Sequence, residues 1–70
     1  MANSTEIILR TNIKKYREKA GLTQEQLSEK AGISPDYLSE IERGKKMPSM
    51  KRLFKIAAAL NRMPYELLKP

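Results

Sequence analysis

Residues 23–44 read TQEQLSEKAGISPDYLSEIERG, and this stretch contains the signals that decide the fold. Thr23 followed by Gln26 has the form of a capping box, in which two side chains satisfy free backbone groups at a helix start. Gly32 can adopt the left-handed conformation that ends a helix, and Ser34 is an N-cap residue two positions later. The stretch therefore predicts two short helices joined by a tight turn. Their predicted bounds are 24–31 and 35–43, with Pro35 at the first position of the second helix.

The apolar residues of the two short helices fall on one shared face if the helices cross at a steep angle. These residues are Leu27, Ala31, Ile33, Leu38 and Ile41. Ser28 is small at the point where the helices approach, and Gly32 supplies the positive φ that a three-residue turn needs. The spacing indicates a helix-turn-helix of the DNA-binding kind. An ordinary helical hairpin in a small bundle is the alternative that the spacing leaves open.

The remainder of the chain carries similar helix signals. Eight Leu, six Ile, six Ala and no Val among 70 residues favour helices over strands. We predict an all-α fold with five helices, at 6–20, 24–31, 35–43, 50–60 and 64–68. Residues 1–5 are expected to form a flexible tail and residues 6–70 a single domain. The expected core consists of the inward-facing apolar residues Leu9, Ile13, Ala20, Leu22, Leu27, Ala31, Ile33, Leu38, Ile41, Leu53, Ile56, Ala57, Leu60 and Leu67.

Composition excludes several function classes. Without Cys or His the chain has no thiol nucleophile, imidazole base or zinc-ribbon ligands, and we expect no metal, cofactor, small-molecule ligand or enzymatic activity. The sequence contains no apolar run of membrane-spanning length, which favours a cytoplasmic protein without a membrane partner. A net charge of +6 favours a polyanionic partner, nucleic acid first.

The charge is unevenly distributed along the chain. Residues 20–42 carry five acidic side chains and one basic one, whereas residues 43–62 carry seven basic side chains and no acidic one. The distribution predicts that Arg43, Lys45 and Lys46, with part of the first helix, hold phosphates while polar or acidic side chains select bases. The acidic segment is also compatible with a protein partner.

The ordered string of capping, turn, core and charged positions resembles the Cro/CI-type (XRE) family of lambda-repressor-like helix-turn-helix proteins over residues 12–68. The matching text is IKKYR at 13–17, GLTQEQL at 21–27, AGIS at 31–34, YLSEIERG at 37–44, Pro48-Ser49, Leu60 and Leu67-Leu68. The resemblance implies a five-helix, sequence-specific regulator of transcription, of the repressor type. It places its third helix in the major groove of double-stranded operator DNA, usually as a two-fold homodimer on an inverted repeat.

The resemblance also implies roles for individual residues. Base or groove contacts are expected from Ser34, Asp36, Tyr37 and Glu40, since a carboxylate can accept from cytosine N4 and a tyrosine ring can cover a thymine methyl. Phosphate contacts are expected from Thr23, Gln24, Ser39, Arg43, Lys45 and Lys46. In the family a glutamine at the position of Gln24 also holds the recognition helix in place.

Two further pairs have structural roles in this interpretation. In the family, an Arg and a Glu at the positions of Arg17 and Glu42 form a buried or half-buried ion pair between the first and third helices. Tyr65 and Leu68, on the last helix, are candidates for the dimer interface, and the alternative is that this helix only closes the core. Met63 stands where the family usually has a capping serine, which predicts a weak start for that helix.

A second class of function uses the same fold. The alternative is a protein-interaction module, such as an antitoxin or an adaptor to the transcription machinery, with the acidic segment as its contact surface. A purely structural interpretation also stays open for Asp36 and Glu40, in which Asp36 is an acid near the positive helix end and Glu40 lies on a solvated helix face.

Overall fold

The computed structural model describes residues 3–70, and in that range the chain forms five α-helices and no β-strand. The helices are α1 (Ser4–Lys19), α2 (Gln24–Ala31), α3 (Pro35–Glu42), α4 (Met50–Ala59) and α5 (Pro64–Leu67). The predicted all-α class is confirmed, and every predicted helix end agrees to within two residues. Among the described residues, no helix is both long and apolar enough to cross a membrane.

Side-chain caps determine where α2, α3 and α4 begin. Thr23 Oγ1 accepts from the backbone N–H of Gln26 at 3.0 Å, and Gln26 Oε1 accepts from the N–H of Thr23 at 2.9 Å. Ser34 and Ser49 cap α3 and α4 through their hydroxyl oxygens, at 3.1 and 3.2 Å. Each such cap contributes about 1 kcal/mol. A positive φ follows each of the first four helices, at Gly21, Gly32, Gly44 and Asn61, and the value at Gly32 confirms the predicted turn.

The start of α1 corrects the sequence-based prediction. Asn3 Oδ1 accepts from the N–H of Glu6 at 2.8 Å, and the Glu6 carboxylate accepts from the N–H of Asn3 at 3.3 Å. This capping box starts the helix at Ser4 and not at residue 6. Residues 3–5 of the predicted tail thus form the cap and first turn of α1, while residues 1 and 2 lie outside the described residues.

The core lies where α1 to α4 converge and is closed by α5. Eleven of the predicted core residues are buried: Leu9, Ile13, Leu27, Ala31, Leu38, Ile41, Leu53, Ile56, Ala57, Leu60 and Leu67. Leu22 and Ile33 are half-buried against this cluster. Ala20 is exposed, because it is the C-cap residue of α1 and follows the last inward-facing turn.

The last helix is attached to α1 by polar contacts that the sequence analysis missed. The Asn12 side-chain amide donates to the carbonyls of Leu67 at 3.0 Å and Lys69 at 2.7 Å, which satisfies the C-terminal end of α5. Met63 is the N-cap residue of α5 and makes no side-chain capping hydrogen bond, which agrees with the predicted weak start of this helix. The Glu66 carboxylate, however, accepts from the Met63 N–H at 2.9 Å. These contacts secure a helix of only four residues that has little stability of its own.

Candidate nucleic-acid interface

The turn between α2 and α3 sets the crossing of the two helices. Gly32 has φ +70°, and the following Ile33 N–H donates to the Ser28 carbonyl at 3.0 Å, which closes the end of α2. Ser28 is buried, with its hydroxyl donating to the Glu25 carbonyl at 2.8 Å, so the small side chain leaves room for close packing. The two helices therefore form the predicted helix-turn-helix, with α3 on the outside.

One face of α3 points away from the protein. Leu38 and Ile41 lie in the core, and a rotation of about 100° per residue places the opposite side of the helix in solvent. The residues on this outward face are Asp36, Ser39, Glu40 and Arg43. Ser34 lies at its N-terminal tip, exposed, with its hydroxyl engaged in the helix cap. The face thus brings together three of the four predicted base-contacting residues.

On one flank of this face, Arg17, Glu42 and Gln24 link three helices. Arg17 donates to both oxygens of the Glu42 carboxylate, from Nε at 2.8 Å and from Nη2 at 3.0 Å. Its Nη1 donates to the Leu22 carbonyl at 2.8 Å, so all three guanidinium nitrogens have acceptors. Side-chain exposure is 11% for Arg17 and 3% for Glu42. The hydrogen bond to Glu42 raises the pKa of the Arg17 guanidinium, against the opposing effect of burial.

Gln24 completes this flank from the first position of α2. Its side-chain amide donates to Glu42 Oε1 at 3.0 Å, so α2 holds the C-terminal end of α3 through the same carboxylate that pairs with Arg17. Thr23 lies next to it, exposed, as the N-cap residue of α2. Both predicted phosphate-contacting residues of α2 therefore lie at the edge of the outward face.

On the other flank, Tyr37 packs half-buried against the core. Arg52 Cζ lies 5.2 Å and Lys46 Nζ lies 5.8 Å from the centre of the Tyr37 ring, which are cation–π distances. Lys46 also forms a 3.4 Å ion pair with Glu40. Tyr37 is thus placed beside the outward face with its ring next to two cations. Sequence reasoning missed Arg52, because the α4 residue meets Tyr37 only through the tertiary fold.

The loop after α3 carries the predicted basic residues. The backbone N–H groups of Lys45 and Lys46 both donate to the Glu40 carbonyl, at 2.8 and 3.3 Å, so the loop folds back on the end of α3. At Gly44, φ is +77° and the Arg10 guanidinium fills the space that a Cβ would need. Arg10 of α1 was not among the predicted site residues, and its position adds another cation beside the loop.

The predicted dimer candidates lie on α5, which packs against α1 and α4. Tyr65 is 61% exposed and Leu68 39% exposed. Other large apolar residues exposed on α4 and before α5 are Met50, Phe54 and Met63. The exposed side of α4 and α5 is therefore more apolar than the two predicted residues alone suggested.

Comparison with known proteins identifies what this arrangement resembles. A family model described as helix-turn-helix matches residues 13–68. The HTH-type transcriptional regulator y4dJ of Sinorhizobium fredii is 38% identical over 60 residues, which cover 86% of this chain and 78% of that protein.

Two solved structures share the fold at appreciable identity. A hypothetical transcription factor, NHTF from Neisseria, superimposes with a TM-score of 0.91 at 31% identity, covering 96% of this chain and 77% of its own. The structure of SinR, described as the master regulator for biofilm formation and solved in complex with DNA, gives a TM-score of 0.83 at 39% identity. The match covers 87% of this chain and 98% of the SinR chain.

Proposed function

Because the chain belongs to the helix-turn-helix family of transcriptional regulators, we propose that it binds a specific double-stranded operator with α3 in the major groove. The observation that carries this proposal is the polar outward face of α3, which is flanked by Gln24 on one side and Lys46 on the other. The family is one of regulators, and the proposal includes no enzymatic step. The proposal includes a cytoplasmic location, because the DNA that the protein would bind lies there.

In this proposal the outward face of α3 reads bases. Asp36 and Glu40 accept from the exocyclic amines of cytosine or adenine, while Ser34 reaches base edges or nearby phosphates at the tip of the helix. Carboxylates also reject guanine acceptors and phosphates, so they add discrimination more than affinity. The Glu40–Lys46 ion pair is half-exposed, and a pair of this kind contributes at most about 1 kcal/mol, so DNA can displace it.

Phosphate contacts come from both flanks of the helix. Thr23 and Gln24 lie at the start of α2, where free backbone N–H groups favour an anion. Ser39, Arg43, Lys45 and Lys46 supply the other contacts, from the end of α3 and the loop that folds back on it. These residues position the protein, while the outward face selects the sequence.

We propose that the protein acts as a two-fold homodimer on an inverted repeat. Tyr65 and Leu68 support this proposal, because large apolar side chains exposed next to one another are typical of a contact surface. The contacts of Asn12 with the carbonyls of Leu67 and Lys69 attach the backbone that carries these two side chains to α1. Two copies would place their α3 helices about one turn of DNA apart.

Selection of preferred sites from a random pool of duplexes tests the proposal. The wild-type protein should enrich one inverted repeat. Glu40→Ala should relax the preference at one base position per half-site, by about 1–3 kcal/mol, and should bind random DNA more tightly because a negative charge has left the interface. Glu29→Ala, which removes an exposed carboxylate from α2, is the matched control and should keep the wild-type profile.

The outcome of this selection also separates DNA binding from the protein-interaction alternative. The acidic segment 20–42 favours that alternative, since it contains five acidic side chains and only one basic one. A wild-type protein that enriches no site at any salt concentration would contradict the operator proposal. Identical profiles for wild type and Glu40→Ala would remove Glu40 from the base-reading residues.

A further inference from the structure

We propose that Arg52 is a further phosphate-contacting residue and that Tyr37 is the positioning residue that holds Arg52 and Lys46 beside α3, without reading a base itself. The inference rests on the proposed function, because the phosphates are those of the DNA that α3 enters. It deepens that function by assigning a role to a residue of α4 and by changing the role of a residue of α3.

The placement of Tyr37 separates it from the base-reading face. Its ring is half-buried against the core, whereas Asp36 and Glu40 lie on the outward face. The ring centre lies 5.2 Å from Arg52 Cζ and 5.8 Å from Lys46 Nζ. A ring that is packed against the core beside two cations can orient those cations.

The charges around the cluster of Tyr37, Lys46 and Arg52 leave Arg52 available for an anion. Lys46 is partly neutralised by Glu40 at 3.4 Å, while among residues 3–70 no carboxylate lies within 4 Å of the Arg52 guanidinium. Arg52 also lies in the first turn of α4, where the helix dipole disfavours a cation. The charge of Arg52 therefore does not stabilise α4 through the helix dipole. A guanidinium held in one orientation suits bidentate contact with a phosphate.

The cluster lies on the side of α3 that would face one of the two DNA strands bordering the major groove. Tyr37 and Glu42 are five residues apart on α3, which puts them on opposite flanks of the outward face. Gln24 marks the Glu42 flank, and Arg52 with Lys46 marks the Tyr37 flank. When α3 enters the major groove, the Arg52 flank faces the phosphates of one strand and the Gln24 flank those of the other.

The test measures the salt dependence of binding to the selected operator, together with the selected-site profile, on the full chain. Arg52→Ala should lower the slope of log K against log salt by about 0.9 per half-site and leave base preferences unchanged. Lys51→Ala is the matched control, since it removes the same charge from the neighbouring exposed position of α4 and should change the slope by less than half as much.

Variants of Tyr37 test the positioning role. Tyr37→Phe keeps the ring and should preserve both the slope and the profile. Tyr37→Leu keeps an apolar contact with the core but removes the ring, so Arg52→Ala should have less than half its wild-type effect on the slope in that background. Circular dichroism melting of each variant shows that it is folded at the binding temperature.

Three results would overturn the inference. A changed base preference in Tyr37→Phe would make the hydroxyl a base reader. Equal slopes for Arg52→Ala and Lys51→Ala, with a wild-type protein that selects an operator, would remove Arg52 from the phosphate contacts and leave the proposed function standing. A wild-type protein that selects no duplex would contradict the proposed function and this inference together.

Discussion

Among the ion pairs of residues 3–70, the Arg17–Glu42 pair is expected to be the most costly to break, because its side chains are the least exposed. A chain of this size has a free energy of unfolding of about 4–10 kcal/mol. The Glu42 side chain is 3% exposed and the Arg17 side chain 11% exposed, and two hydrogen bonds of 2.8 and 3.0 Å join them. Removing one partner of such a buried pair costs about 3–5 kcal/mol, because the other charge stays buried. Either single alanine variant should therefore be marginally stable.

The two single variants should differ in a direction that the geometry sets. Arg17→Ala leaves the Glu42 carboxylate with Gln24 Nε2 as its remaining side-chain donor. Glu42→Ala leaves Arg17 with the Leu22 carbonyl and a longer side chain that can reach water. We therefore expect Arg17→Ala to destabilise the protein more than Glu42→Ala.

The assay is urea unfolding of the wild type, both single variants and the double variant, followed by circular dichroism. The double variant should be more stable than the sum of the two losses predicts, by about 1–3 kcal/mol. The exposed Lys46–Glu40 pair is the matched control, with an expected coupling of about 0.2–1 kcal/mol. Losses for Arg17 and Glu42 that add to within about 0.5 kcal/mol would refute the coupled pair.

Two further predictions concern the loop after α3 and the start of α5. Gly44→Ala should cost about 1–2 kcal/mol, the strain of a left-handed alanine, because the flexible Arg10 guanidinium can move out of the space that the new Cβ needs. Gly32→Ala, with similar φ and open space around the Cβ, should cost the same in urea unfolding, and a much larger loss for Gly44→Ala would show that Arg10 cannot move. Glu66 accepts a hydrogen bond from the Met63 N–H, which lowers the pKa of its carboxyl, so its contribution to stability is complete above about pH 5.5 and is lost as the pH falls through the lowered pKa. Glu66→Gln keeps an acceptor that does not titrate, so its melting temperature should fall less than that of the wild type between about pH 6 and about pH 3; equal falls would contradict this role.

The helices and most of the core could be predicted because their signals are local. Thr23 with Gln26, Ser34 with Pro35, and Gly32 act within a few residues, and they determine where α2 and α3 start and end whatever surrounds them. Apolar periodicity then selects the inward face of each helix. The start of α1 was placed two residues late because Asn3 and Glu6 cap it, and this pair lies in a polar segment that carries little apolar signal.

The residues of the candidate site were likewise predictable from the sequence only where their signals are local. The outward face of α3 follows from helical periodicity once Leu38 and Ile41 are placed inside, so Asp36 and Glu40 could be assigned to it from the chain alone. The roles of Arg17 and Gln24 came from the resemblance to a family. Helical periodicity puts Arg17 on the same stripe of α1 as Leu9 and Ile13, but it does not show which side chain Arg17 contacts.

Only the tertiary structure brings together residues far apart in the chain. Asn12 meets the carbonyls of α5 more than fifty residues later, and Arg52 of α4 meets the ring of Tyr37. Arg10 meets Gly44 across the end of α3. Each of these contacts depends on the angle at which two helices cross, and that angle follows from the packing of the whole core, which no short segment specifies. The sequence thus establishes the five helices and the face that α3 presents, while the crossing of the helices decides which cations flank that face.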